Sequence, residues 1–202
     1  MCPRRALERG RDALAVALLA AALLHGAGAA LIHAKAWLAP LLIERAWSRT
    51  LAHGGAAVKP WPWADTWPVA KLRAPGQGIE RLVLAGDSGN ALAFGPGHAR
   101  ASAPLGAAGL AVIGGHRDTH FAFLRHLRRG DRLQLQTLDG RWRDYRVEAA
   151  RVVDVRRERL SPQPGREALL LVTCYPFDAV FAGGPLRYAV RAIPVAPRST
   201  LL

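Results

Sequence analysis

Three short runs hold the side chains able to do chemistry. Gly114-Gly115-His116-Arg117-Asp118-Thr119-His120-Phe121 follows an apolar stretch and delivers a histidine at the start of a loop, where reactive groups are displayed. Leu169-Leu170-Leu171-Val172-Thr173-Cys174-Tyr175-Pro176 is an apolar run that delivers a thiol just ahead of a proline turn. Pro185-Leu186-Arg187-Tyr188-Ala189-Val190-Arg191 places Arg187 thirteen residues beyond Cys174, so consecutive strands would set the two side by side.

A cysteine is the best protein nucleophile near neutral pH, but with an ordinary pKa of about 8.5 it needs help to ionise. A histidine such as His116 can take its proton and later protonate a leaving amine. Attack on a carbonyl builds negative charge on oxygen, and a fixed guanidinium such as Arg187 stabilises that charge without losing its own proton. Cys174, His116 and Arg187 therefore form a complete acyl-transfer set. Backbone N–H groups beside the nucleophile add oxyanion donors, with Thr173 positioning the turn. Cys174 equally reads as an inert buried side chain.

Other readings compete for the same residues. His116 and His120 are four apart, which on a helix would make a metal pair with Cys174 as a third ligand. The preceding strand and loop argue against helical register, no HExxH glutamate is present, and no metal is expected. Asp118 either orients a histidine or caps its loop. Arg191 shares a strand face with Arg187 and competes for the arginine role. His25, His33, His53 and His98 have no motif context and read as structural or surface residues. His120 and His126 lie close to the motif, and His120 reads as a wall residue that orients its neighbours. A papain-like order is excluded because no histidine follows His126, and the QACRG-type signature of a caspase is missing.

The elements that must position these groups are mostly strands. From about Ile79 the period is two: Leu82 and Leu84 alternate with Arg81 and Val83, and Leu133 and Leu135 with Arg132, Gln134 and Gln136. Val147, Ala149 and Arg151 follow the same alternation against Arg146 and Glu148. Asp139-Gly140 is a hairpin signal. Gly109–Gly115, Leu169–Val172 and Leu186–Ile193 add strands, and short helices are expected only near Phe121–Leu127 and Pro104. Antiparallel hairpins with few helices suggest a closed or nearly closed β-barrel.

The 202 residues suit one domain with an addition, and 50% hydrophobic against 21% charged residues excludes general disorder. The addition is N-terminal. Residues 13–32 carry no formal charge and match the length of helix that crosses roughly 30 Å of hydrocarbon. A cleaved signal peptide with Ala27-Gly28-Ala29 as its cleavage site is the rival reading. Arg4, Arg5, Arg9 and Arg11 precede the span and only Lys35 and Arg45 follow closely, so the N-terminus should stay cytoplasmic. Cys2 then lies on one side of the membrane and Cys174 on the other, which excludes an internal disulfide. The +13 charge would meet anionic lipid headgroups or form a solvated surface, with nucleic acid excluded as a partner. Residues 33–57 read as a helical stalk. The segment Val58–Pro68, with three prolines and three tryptophans, reads as an extended arm that either lines the membrane interface or seals the domain edge.

The G-H-R-D-T-H-F, T-C-Y-P and L-R-Y runs together resemble the sortases, membrane-anchored cysteine transpeptidases built on an eight-stranded β-barrel. The arm Pro60-Trp61-Pro62-Trp63-Ala64-Asp65-Thr66-Trp67-Pro68 and the ending Cys174-Tyr175-Pro176-Phe177 resemble the Gram-negative class in particular. The resemblance implies a mainly β fold, a closed eight-stranded barrel over 58–202 with few short helices. A cytoplasmic segment 1–12, a transmembrane anchor 13–32 and the stalk would precede it. It implies that Cys174 attacks a threonine carbonyl in a C-terminal LPXTG-like sorting signal of a protein substrate, forming a thioester that an amine acceptor relieves. His116 would be the acid/base and Arg187 would hold substrate and oxyanion, with Thr173, Tyr175 and His120 among the substrate-binding residues. No cofactor is implied, and the location would be the inner membrane with the catalytic domain facing the periplasm. The family's frequent T-L-x-T-C approach reads here Leu170-Leu171-Val172-Thr173-Cys174, without its first threonine. The alternative is a membrane-tethered, non-catalytic binding barrel with Cys174 buried as a structural residue.

Overall fold

The computed structural model describes residues 3–87, 89–158, 165–181 and 183–195, and within its first helix the side chains of 3–13, 29, 31, 32 and 35 are outside the description. Ten elements follow in order: α1 (Pro3–Ala52), β1 (Pro68–Ala74), β2 (Ile79–Ala85), α2 (Gly89–Phe94), β3 (Gly97–His98), β4 (Leu110–Gly114), β5 (Arg132–Gln136), β6 (Trp142–Asp154), β7 (Ala168–Cys174) and β8 (Leu186–Pro194). Short 3₁₀ turns lie at Pro75–Gln77 and Ala122–His126. The chain divides into two compact units, Met1–Leu41 and Leu42–Leu202.

The expected barrel is present and closed, in the order β1-β2-β3-β4-β7-β8-β6-β5. Closure removes the edge strands on which foreign chains could pair. Its core comes from alternate side chains: Leu72 of β1, Val83 of β2, Ile113 of β4, Leu133 and Leu135 of β5, Tyr145 and Val147 of β6, Leu169 and Leu171 of β7, and Val190 of β8. The β5–β6 hairpin turns at Asp139-Gly140, where Gly140 has φ 75° and the Asp139 carboxylate accepts from the Thr137 hydroxyl and the Arg141 amide. Those bonds, led by the Thr137 hydroxyl, hold the Asp139 carboxyl below its ordinary range.

Two expected alternations are altered. On β2 it is Val83 that enters the barrel core, while Leu84 lies outside it in a cluster with Ile43, Ala91 and Trp61. On β6 a register shift between Val147 and Ala149 breaks the period of two, so Val147 and Val153 enter different clusters. A bulge inserts one residue and reverses which face every later side chain meets. The helix expected near Pro104 is absent, and the residues there form turns and bends closed by the Ala107 amide donating to the Pro104 carbonyl at 3.2 Å. The expectation near Phe121–Leu127 is met by the 3₁₀ turn.

The last turns of α1 pack in the barrel's unit. Ile43, Ala46, Trp47 and Thr50 are buried, and the Trp47 indole donates to Gln136 at 3.4 Å. Truncating a buried Trp to Ala typically costs about 3–5 kcal/mol, enough to make this contact part of the fold. The arm divides its tryptophans: Trp61 packs edge-on against Phe94 at 5.4 Å, Arg100 lies 5.5 Å over Trp67, and Trp63 is 83% exposed.

In the first unit α1 runs through Pro40 as one helix. Leu14, Val16, Leu18, Leu19, Leu23 and Leu24 are exposed along it. Among the described residues no helix is long and apolar enough to cross a membrane, so the structure supports the helix and not the transmembrane span. Residues 13, 29, 31 and 32 of the expected span, and the flanking Arg4, Arg5, Arg9, Arg11 and Lys35, have side chains outside the described set; Cys2 lies outside it altogether.

Candidate active site

Cys174 ends β7 and faces Arg187 directly across the antiparallel ladder with β8. The strand beneath it is buried on both faces: Leu169 and Leu171 enter the barrel core, and Leu170 enters a second cluster with Val153 and Ala189. A strand gripped on two faces has one register, because a slip by one residue would exchange those faces. The half-buried Cys174 is a free thiol. Arg187 spends its Nη1 donors on the carbonyls of Gly184 at 2.8 Å and Leu186 at 2.9 Å. Among the described residues its Nε and Nη2 have no protein partner, so the planar fork is held at one end and open at the other.

His116 reaches the same end of the barrel by another route. β4 pairs with β7 in parallel, with Gly114 opposite Val172, so both chains leave the sheet in the same direction. The Gly115 amide donates to the Val172 carbonyl at 3.1 Å, and the Thr173 hydroxyl donates to the Gly115 carbonyl at 2.7 Å. These ties fasten the residue before His116 to the two residues before Cys174. Thr173 is 2% exposed and its hydroxyl is turned onto that brace.

Beyond His116 the chain makes a closed turn, with the Phe121 amide donating to the His116 carbonyl at 2.9 Å. Residues 117–121 are turn, so His116 and His120 do not have helical register, and among the described residues no group of three His, Cys, Asp or Glu side chains could hold a metal. The buried Phe121 ring lies flat against Gly115; a Cβ there would sit 2.8 Å from two ring carbons.

His120 is half-buried near Arg81. Burial first, and then the Arg81 charge, lowers its pKa below the ordinary imidazole value. Tyr175 donates its amide to the Leu186 carbonyl at 3.1 Å, and its ring stacks on Tyr188 at 6.3 Å, with Phe177 edge-on to both. The bond from Tyr175 to Pro176 is cis. Arg191, the competing arginine, is ion-paired with Glu148 and stands opposite Leu170, four residues along the ladder from Cys174. His98 bonds to the Ala103 carbonyl and to Ser102, and His53 to the Arg49 carbonyl, as structural histidines do.

Sequence reasoning assigned no role to Arg117. Its Nη2 donates to the carbonyls of Ala179 at 2.7 Å and Phe181 at 2.9 Å, linking the turn that follows His116 to the loop that follows Cys174. Val180 and Phe181 at the tip of that loop are 90% and 85% exposed. The acceptors are main-chain carbonyls, which no residue type announces, so the only signal available was an arginine beside the candidate base.

Comparison with known proteins gives a consistent result. The sortase domain family matches residues 72–195. Sortase D of Bacillus subtilis strain 168 is 32% identical over 120 residues, covering 59% of this chain and 60% of that protein. Sortase A from Corynebacterium diphtheriae superposes with a TM-score of 0.58 at 28% identity, over 68% of this chain and 65% of that one. Sortase C-1 from Actinomyces oris superposes with a TM-score of 0.54 at 26% identity, over 63% and 74%. The chain thus spans under two thirds of the length of the Bacillus relative and of the Corynebacterium structure.

Proposed function

Because this chain belongs to the sortase family, we propose that it is a cysteine transpeptidase that cleaves protein substrates at a C-terminal LPXTG-like sorting signal and transfers the acyl group to an amine. Cys174 attacks the threonine carbonyl while His116 takes the thiol proton. The free Nε and Nη2 donors of Arg187 receive the oxyanion. Collapse breaks the C–N bond, His116 returns the proton to the departing amine, and a thioester remains on Cys174. An incoming amine repeats the sequence in reverse and restores the thiol.

The observation that carries this reading is the direct cross-strand pairing of Cys174 with Arg187. The non-catalytic barrel is disfavoured, because Cys174 is partly exposed and not sealed as a structural cysteine would be. Incubating the full chain with a series of threonine-containing sorting peptides should give a mass adduct at Cys174, and Cys174→Ala should abolish it. A chain whose thiol alkylates normally but gives no adduct with any such peptide overturns the assignment.

The reading includes residues 13–32 as a single-pass anchor in the inner membrane, the domain in the periplasm and membership of the Gram-negative class. The charge-free run of residues 13–32, the arginines ahead of it and the Trp/Pro arm, all read from the sequence, support it. Recovery of the full chain in the membrane fraction after alkaline extraction, with the barrel open to external protease in spheroplasts, is the expected outcome.

A further inference from the structure

The end of α1 and the chain that follows it gather three cations around one small pocket. Gly54 and Gly55, at φ 65° and 90°, reverse the chain after the helix, and a Cβ at Gly55 would sit 2.9 Å from the Leu138 carbonyl oxygen. The returning segment is then pinned, because the Val58 amide donates to the buried Thr50 hydroxyl at 3.3 Å. That bond sets Lys59 beside Arg45 and Arg49, which are one helical turn apart, and Pro60 stiffens the chain beyond it. Leu42, Arg45, Ala46, Arg49, Lys59 and Pro60 line the resulting pocket of about 90 Å³.

Among the described residues nothing neutralises this group: the side chains of Arg45, Arg49 and Lys59 have no ion-pair or hydrogen-bond partner. The adjacent Glu44 is paired with Lys71 at 2.6 Å, and Asp65 in the arm accepts from Asn90 at 3.0 Å. The helix end does not hold the three cations either, since the carbonyls of Arg49, Thr50 and Leu51 accept from the amides of His53, Gly55 and Gly54. Its dipole favours a cation in the last turn, which accounts for Arg49 but not for Arg45. Like charges a helical turn apart repel, and here a third is folded against them, so the arrangement lowers stability until an anion fills it.

We propose that this pocket binds a phosphate group. A carboxylate offers two oxygens in one plane, which a single guanidinium fork satisfies. A phosphate offers oxygens in a tetrahedron, which two forks and an ammonium can share. Two sources present that group, a phospholipid headgroup and soluble phosphate. The chain ahead of the pocket suits the first: the apolar run Ala36–Ile43, in which Trp37 is 74% exposed, ends directly before Glu44-Arg45, the order of an interfacial segment and its headgroup contacts. The headgroup source rests on the anchored reading above, and the soluble source does not.

The test reads the melting temperature of the full chain in neutral detergent with four additions: inorganic phosphate, chloride at equal ionic strength, short-chain phosphatidylglycerol and short-chain phosphatidylcholine. Phosphate should raise it above chloride, and phosphatidylglycerol above phosphatidylcholine, by about 2–4 °C at saturation. Both shifts should vanish in Arg45→Gln/Lys59→Gln and persist in Arg128→Gln/Arg129→Gln, which removes the same charge from exposed positions elsewhere. Without additions Arg45→Gln/Lys59→Gln should melt no lower than the wild type, because repulsion is relieved. A lower value there, no shift with either phosphate source in the wild type, or a shift that survives Arg45→Gln/Lys59→Gln each overturn the site. A shift with phosphatidylglycerol alone supports the pocket and assigns it to the headgroup; a shift with inorganic phosphate alone supports it and assigns it to a soluble phosphate. Loss of the chain from the membrane fraction overturns the anchored reading and the headgroup source with it, and the inorganic phosphate arm then decides the pocket.

Discussion

The proposed nucleophile and the proposed base are held by different kinds of structure. Cys174 and Arg187 are set by strand register, with every residue of Leu169–Cys174 paired on β8 and the strand gripped on both faces. His116 lies two residues beyond the β4 ladder, in a turn secured by the Phe121 amide, the Thr173 hydroxyl and the Arg117 guanidinium. A ladder moves as a unit or not at all, whereas a turn held by a few bonds can be loosened one bond at a time. The half of the site proposed to stabilise charge is therefore rigid by construction, and the half proposed to move protons is adjustable.

The largest effect should come from the rigid half. Arg187→Ala should lower the acylation rate by about 10²- to 10³-fold, the usual cost of one oxyanion donor, with thermal unfolding nearly unchanged. Arg187→Lys should recover little, because an ammonium cannot bond two carbonyls and still present a fork. Full activity in Arg187→Ala would remove the guanidinium from the chemistry.

On the adjustable side, Gly115→Ala forces a methyl against the Phe121 ring and displaces His116. A misplacement of about 1 Å can cost about 10²-fold in rate. Alkylation of Cys174 by a small reagent should persist while acyl transfer falls, which would show that the two halves separate as described.

Arg117→Met should cost about 10-fold in acyl transfer, since two hydrogen bonds from a charged group, each worth about 1.5–3 kcal/mol to the loop, are lost and only part of that loss reaches the rate. Amide exchange around Ala179–Phe181 should quicken while that of β7 stays slow. Equal exchange in both segments would erase the distinction between ladder and turn.

The smallest effect concerns His120. Its folded pKa lies below the unfolded value of about 6.5, so the unfolded chain binds more protons in that window. Stability should therefore decline as pH falls from about 6.5 towards the lower folded value and then level off, and His120→Gln should flatten that slope in denaturant titrations. An unchanged slope would show that His120 is not the group responsible.

The same contrast explains what could be read from residues alone. Cys174 and Arg187 were legible because period-two alternation and a short connection force neighbouring strands to pair. The brace from Thr173 to Gly115 was half-visible, since Thr173 was expected to position the turn, but its partner depends on the parallel β4–β7 pairing, which spacing does not reveal. The bulge in β6 was illegible because Glu148, the residue left without a partner on β8, fits the period of two as an ordinary outward strand residue and marks no insertion. The packing of Ile43 and Trp47 was hidden by apolar residues lying nearly all round α1, so that no stripe announced a buried face.

Because Cys174 and Arg187 belong to one hairpin, the segment Ala168–Pro194 holds both the proposed attacking atom and its proposed charge stabiliser in one contiguous piece of chain. The loop inside that hairpin can change in length or composition without altering their pairing, provided carbonyl groups remain for Arg117. Specificity could thus diversify there by insertion, deletion or transplantation from another barrel, while the reaction is inherited intact.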